Sequence, residues 1–334
     1  MAAISSKPKV NVQKQNPFLG LRAFQTDEAN LFFGRKRLNS ELLLKLRQTR
    51  FLAIVGNSGT GKSSLVRAGL IPTVQSGFVA QAGSSWRVAI MQPNREPIQE
   101  LTHALARRSV LHPNRKMEPN YPKQVENCLH RSSRGLMEAY KNAKIPNENL
   151  LIFIDQFEEV FQLYNQEKHI QSDRNQATKL INLLVAAVQQ SEYPIYVVIT
   201  LRADFIEAAN AFRDLPEIIN NGQFLIPRMN RKELSQVIGS PLQQAEINIT
   251  PRLKTRLLED ALDSQDQLPI LQHCLMRTFD HWRKQNTPKP IDINDYEAVG
   301  GMKNALSIHA NEAYDTLKNE EQKRLAAWLF KATT

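Results

Sequence analysis

Residues 51–72 read FLAIVGNSGTGKSSLVRAGLIP. A continuously apolar run, Phe51–Val55, stops at Gly56, and GNSGTGKS at 56–63 then matches G-x-x-x-x-G-K-[ST] with a helical pattern beyond it. Strand before and helix after are the setting that gives this motif meaning; a glycine-rich turn alone lacks both. In that setting the loop wraps phosphate oxygens with backbone N–H groups, and the following helix contributes its N-terminal dipole. The expected phosphate-binding residues are Gly56, Asn57, Ser58, Gly59, Thr60, Gly61, Lys62, Ser63 and Ser64. Lys62 is placed to reach the β- and γ-phosphates, and the Ser63 hydroxyl to sit on Mg²⁺.

A five-residue strand with no polar alternation is buried on both faces, as in a parallel sheet covered by helices. Working outward, further strands are expected at Arg87–Met91, Leu150–Ile154, Ile195–Leu201 and Phe224–Ile226, separated by helical patterns. The fold class that follows is α/β. Arg35–Arg50 reads as a helix ahead of the first strand, with Leu38, Leu42, Leu43 and Leu46 on one face. After Pro227 the pattern becomes helical throughout: Arg231–Ile238, Arg252–Leu262, Leu268–Trp282, a short segment Asp292–Val299, then Met302–Leu317 and Glu320–Lys331. The Gly300–Gly301 pair is a natural joint.

Two more apolar strands deliver polar groups at their carboxyl ends. LLIFIDQFEEVF (150–161) runs into Asp155, which is placed to hold Mg²⁺ beside the loop. Glu158 and Glu159 follow; either can prepare an attacking water, although acids also favour the first turn of any helix. Glu158 is preferred as lying nearer the strand end. YVVITLRADF (196–205) ends in Thr200, Arg202 and Asp204. A guanidinium at 202 suits a γ-phosphate sensor, with a surface ion pair to Asp204 as the plainer reading.

Composition bounds the rest. The chain has 334 residues, 42% hydrophobic and 23% charged, enough to bury one large core or two smaller ones. Two cysteines without CxxC spacing suggest neither a disulfide framework nor zinc, and fit a reducing, cytoplasmic setting. The N-terminal MAAISSKPKVNVQKQ lacks a signal-peptide apolar core, and no stretch is long enough to span a bilayer. The net charge of +10 concentrates in 101–144, where nine Lys or Arg residues meet three Glu. Such a segment can face nucleic acid, but without interleaved aromatics a solvated helical surface is the favoured reading.

PFLGLRAF (17–24), LFFGR (31–35), the phosphate loop continuing to Pro72, IDQFEEVF, LRADF, LPILQHCL (268–275) and YEAVGGMKNAL (296–306) together resemble the novel STAND P-loop NTPases, the signal-transduction ATPases with numerous domains. The resemblance covers nearly everything after residue 16. It implies that Phe32, Phe33, Gly34 and Arg35 lie near the base and ribose, with Lys36 in place of the family's usual acid. It implies that Pro269 touches the base in a closed state, although Asp266 and Gln267 stand where a glycine tends to precede that proline. Gln156 stands where many P-loop ATPases carry a catalytic glutamate, so slow hydrolysis is expected.

The implied architecture is a flexible basic arm (1–16), a nucleotide-binding domain (17–229), a helical domain (230–300) and the start of a winged-helix-like region (301–334), cut short. The implied function is a switch working with ATP/ADP and Mg²⁺, closed around ADP, opened by ATP exchange, and self-associating or binding a protein partner through regions beyond this chain. The rivals are a nucleic-acid-dependent ATPase, a non-hydrolysing nucleotide-binding scaffold and a small-molecule kinase. The last lacks a lid-like arginine cluster after Pro227.

Overall fold

The computed structural model describes residues 15–77, 85–112, 120–144, 148–165, 171–264 and 267–333. Most of the expected arm, 1–14, and Asp266 lie outside the described residues. Packing divides the chain into two units: Phe24–Arg228, and Met229–Thr334 together with the N-terminal residues up to Ala23.

The first unit is built on five strands: β1 (Phe51–Val55), β2 (Ser85–Met91), β3 (Glu148–Ile154), β4 (Ile195–Leu201) and β5 (Gln223–Leu225). They lie in the order β2-β3-β4-β1-β5, and every pairing is parallel. The apolar runs are continuous because both faces are covered. Phe51, Ala53 and Val55 point into a core with Ile152, Ile154, Val197 and Ile199, closed by helices that include Pro97–Leu105 and Gln171–Gln189. Leu52 and Ile54 point the other way, with Leu151, Phe153 and Val198, onto the helix Lys36–Thr49 and the segment after the phosphate loop. The two-residue period of a strand therefore alternates between two cores rather than between core and water.

After Lys62–Ser64 the helix widens to π geometry over Leu65–Leu70 before resuming at Ile71–Gln75. The cause is visible in the sequence: Pro72 has no N–H to give to Ala68, and Ile71 N donates five residues back, to Val66 O. The Gly69 carbonyl accepts from Asn39 Nδ2 (3.2 Å) and Thr73 Oγ1 (2.7 Å).

The second unit is helical: Arg231–Gln244, Pro251–Asp263, Gln267–Gln285, Ile293–Ala298, Gly301–Asp315 and Glu320–Thr333. Asn230 and Asp292 each form a capping box with the acid three residues on, and the Thr250 hydroxyl accepts from Leu253 N. The first helix runs six residues past its expected end, through buried Pro241, because Pro241 and Leu242 pack into the unit's core and that burial outweighs the lost backbone bond. The core joins Leu234, Ile238, Leu257, Leu271, Cys274 and Phe279, and it includes Phe18 from the other end of the chain, edge-on to Phe279 at 6.5 Å. Asn16 Nδ2 donates to Met276 O at 3.0 Å in the same unit. Both cysteines are free and buried, and burial pushes the Cys274 thiol up to about 12. Among the described residues no helix is long and apolar enough to cross a membrane. After Gly301 the described residues hold two helices and no strand.

Candidate functional site

Strand order and register assemble the site. Val55 is level with Leu201, and Ile154 with Ile199, so one residue beyond each strand end come Gly56, Arg202 and Asp155, with Thr200 beside the last. β4 lies between β1 and β3, which puts Thr200 between the phosphate loop and Asp155.

The loop itself is a tight curl. Gly59 (φ 75°) and Gly61 (φ 86°) both adopt left-handed backbone, which explains glycine at these two positions. Asn57–Gly59 are exposed, and Thr60–Ser64 half-buried. Thr60 Oγ1 donates to Asn57 O at 2.9 Å. The Lys62 ammonium folds back over the loop, donating to Gly56 O and Asn57 O at 2.8 Å each. Burial holds the Lys62 pKa below its ordinary value; the Arg202 charge adds to this, while Glu158, Asp155 and Asp204 oppose it.

Asp155 is the hub. Its Oδ1 accepts from Ser63 Oγ and from Thr200 Oγ1, both at 2.7 Å, and its Oδ2 faces Arg67 Nη2 at 3.1 Å. The carboxylate is 3% exposed with its residue. Thr200 Oγ1 in turn accepts from Gln156 N at 2.8 Å. Gln156 takes a left-handed φ of 59°, a sharp corner that starts the helix Glu158–Asn165 directly after the strand. Two hard oxygens, Ser63 Oγ and Asp155 Oδ1, thus stand together beside the phosphate loop. That donor set fits Mg²⁺, which takes one or two protein oxygens and fills its octahedron with phosphate and water.

Glu158 is buried, with Oε2 accepting from Arg202 N at 3.3 Å. Glu159 instead accepts from Asn94 N at 2.9 Å, and burial raises its pKa although that backbone contact pulls the other way. The two neighbouring acids therefore serve different strand ends. Arg202 is exposed and forks onto Asp204, Nε to Oδ1 at 3.1 Å and Nη2 to Oδ2 at 2.7 Å, which lowers the Asp204 pKa and raises its own. Its guanidinium also lies 5.4 Å from the Phe205 ring centroid.

On the loop's other flank, Gly34 turns with φ 86°, and Arg35 is 3% exposed, its Nη2 donating to Pro227 O at 2.9 Å. Ser64 Oγ accepts from Phe24 N at 3.2 Å. Pro269 belongs to the helical unit, half-buried in the first turn of Gln267–Gln285, where a missing N–H leaves no helical bond unmade.

Two partners of Asp155 escaped the sequence reading as site residues. Thr200 carries a faint signal, a polar residue ending an otherwise apolar strand. Arg67 carries only its spacing, four residues after Ser63 and so on the same helical face.

The family model described as Novel STAND NTPase 1 matches residues 17–334. Comparison with curated protein sequences gives no match. Among solved structures, the chain is similar to the ORC2 protein of Aeropyrum pernix in its ADP form, with TM-score 0.52 and 11% identity over 83% of this chain and 68% of that one. The same protein in ADPNP–ADP complexes gives 0.53 and 14% over 93% and 75%. The ORC1 protein of Aeropyrum pernix, in complex with DNA, gives 0.54 and 10% over 87% and 71%. At such identities the likeness shows a shared fold.

Proposed function

Because the chain belongs to the Novel STAND NTPase 1 family, and is thereby a P-loop NTPase, we propose that it binds ATP with Mg²⁺, hydrolyses it slowly, and uses the difference between ATP and ADP to operate a signalling switch. The observation that carries this reading is the cluster of Ser63, Asp155 and Thr200 at the carboxyl ends of the central strands, next to Lys62. On binding, Lys62 exchanges the Gly56 and Asn57 carbonyls for β- and γ-phosphate oxygens, and backbone N–H groups of residues 57–64 take the remaining phosphate contacts. Ser63 and Asp155 would hold Mg²⁺, which would supply charge neutralisation on the phosphates. Gly34 and Arg35 flank the base and ribose.

Glu158 is the group that orients or deprotonates water, and the neutral Gln156 keeps turnover slow. Arg202 senses the γ-phosphate by leaving Asp204 for it, a trade of one charge-assisted pair for another. Pro269 contacts the base when the helical unit closes on ADP. A ligand shifts such an equilibrium only by its differential affinity for the two states, and the γ-phosphate contact of Arg202 is that difference. The open form self-associates or recruits a protein partner.

A second reading, a nucleic-acid-dependent ATPase, draws on the basic segment and on the DNA complex of the ORC1 relative. Against it, Arg131 and Arg134 already face Glu138 and Glu192.

Calorimetry of ATP and ADP binding, with and without Mg²⁺, tests the proposal in the parent, Asp155→Asn and Arg202→Ala proteins. Asp155→Asn is expected to weaken the Mg²⁺ dependence of binding, and Arg202→Ala to weaken ATP by ~1.5–3 kcal/mol while sparing ADP. Equal losses for both nucleotides in Arg202→Ala remove the switch. Turnover stimulated by DNA or RNA, with binding that weakens steeply with salt, selects the second reading.

A further inference from the structure

Arg67 is the one cation on the Asp155 carboxylate among the described residues. Nη2 lies 3.1 Å and Nε 3.4 Å from Asp155 Oδ2, Nη1 donates to Gln25 Oε1 at 3.1 Å, and the guanidinium carbon sits 5.7 Å from the centre of the Phe153 ring. The side chain is 17% exposed and that of Asp155 4%. A planar fork tethered to a carboxylate, an amide and an aromatic face is a fixed charge, not a mobile one. The π-helical stretch in which it sits, Leu65–Leu70, runs directly into Pro72 in the first turn of Ile71–Gln75.

We propose that Arg67 is the built-in counter-ion of Asp155, a positioning residue that keeps a divalent cation off Ser63 and Asp155 until nucleotide phosphates arrive. The argument is electrostatic. A buried carboxylate with no cation is costly, and Arg67 meets that need while aiming Oδ1 at Ser63 and Thr200. A bare divalent ion approaching Oδ1 then finds a neutralised pair, two protein oxygens and the repulsion of a fixed guanidinium a few ångströms away. Phosphates bring several negative charges and the missing oxygen ligands, which outweigh that repulsion. The metal accordingly enters with the nucleotide and not before it. This inference rests on the nucleotide-and-Mg²⁺ reading of the same site, but it requires no turnover.

Mn²⁺, a hard divalent probe read by electron paramagnetic resonance, tests it on the full chain without nucleotide. Arg67→Gln removes the charge and is expected to bind one Mn²⁺ at least about tenfold more tightly than the parent. Arg67→Lys keeps the charge and is expected to behave like the parent. Adding Asp155→Asn to Arg67→Gln is expected to abolish the gain. Structural damage lowers affinity and cannot imitate a gain; if Arg67→Gln does not fold, Arg67→Met, neutral and of similar reach, decides instead. Equal Mn²⁺ affinity in the parent and the neutral variant, or an equal gain in Arg67→Lys, overturns the inference. Calorimetry of ATP with Mg²⁺ on the parent runs alongside: failure to bind there removes the nucleotide reading, whereas the Mn²⁺ comparison judges Arg67 on its own.

Discussion

Thr200, on the strand between the phosphate loop and β3, donates its hydroxyl to Asp155 Oδ1 at 2.7 Å while accepting from Gln156 N at 2.8 Å. One side chain, 1% exposed, therefore both orients the buried carboxylate and fixes the left-handed corner that follows it. Thr200→Val keeps the shape and removes both bonds. A hydrogen bond to a charged group contributes about 1.5–3 kcal/mol, so the variant is expected to unfold at lower urea with an unchanged m-value. An unchanged midpoint means that Asp155 does not need this donor.

Lys62 supplies the pH dependence. Its pKa lies below 10.5, chiefly through burial, so it loses its charge earlier than an ordinary lysine as pH rises. Between its folded and unfolded values the unfolded chain binds more protons, and the contribution of Lys62 to stability therefore rises with pH across that window. Nucleotide affinity moves the opposite way, falling as the ammonium deprotonates. Titrating ATP affinity through the alkaline range should show the fall beginning below 10.5, and Lys62→Arg, which stays charged, should flatten it. A fall of equal size in both proteins assigns the effect elsewhere.

Glu158 and Glu159 are separated by what their carboxylates touch, Arg202 N for the first and Asn94 N for the second. Glu158→Gln can still accept from Arg202 through its amide oxygen, so nucleotide binding is expected to survive while single-turnover hydrolysis slows by at least about tenfold. If Glu159→Gln carries the larger loss instead, the roles are exchanged.

Phe18 tests the packing of the N-terminal segment. It is 3% exposed and edge-on to Phe279 in the helical core. Truncation to alanine in such a place costs about 3–5 kcal/mol. Phe18→Ala is expected to speed hydrogen exchange across residues 271–279 of the helical unit and to leave the amides of β1 and β4 protected. The reverse pattern contradicts the assignment.

Most of the architecture was legible because burial writes itself into local sequence. Phe51–Val55 and Ile195–Leu201 occur as expected, and β2 and β3 begin two residues earlier than their apolar runs, at Ser85 and Glu148. Of those extra residues Ser85 is exposed, Trp86 and Asn149 are buried, and Glu148 forms an ion pair with Arg87 across β2 and β3, contacts that an apolar run does not announce. The helix ends were less legible: Arg231–Gln244 passes through a proline that local preference rejects, since propensity is weak beside the burial of a core side chain.

What the sequence determined by itself was the chemistry available at each strand end: a phosphate loop after β1, a carboxylate after β3, a guanidinium after β4, and the parallel, doubly covered sheet that such continuous apolar strands demand. Which of these groups meet was decided only by tertiary structure. Nothing local to Thr200, Arg67 or Asp155 says that β4 lies between β1 and β3, or that a guanidinium 88 positions away in the chain will neutralise the carboxylate. Nor does PFLGLRAF announce that Phe18 buries itself in the helical unit while Phe24 binds Ser64. The reason is physical: periodicity and propensity record how each segment meets a core, whereas a hydrogen bond or ion pair depends on the order in which strands and helices are laid side by side.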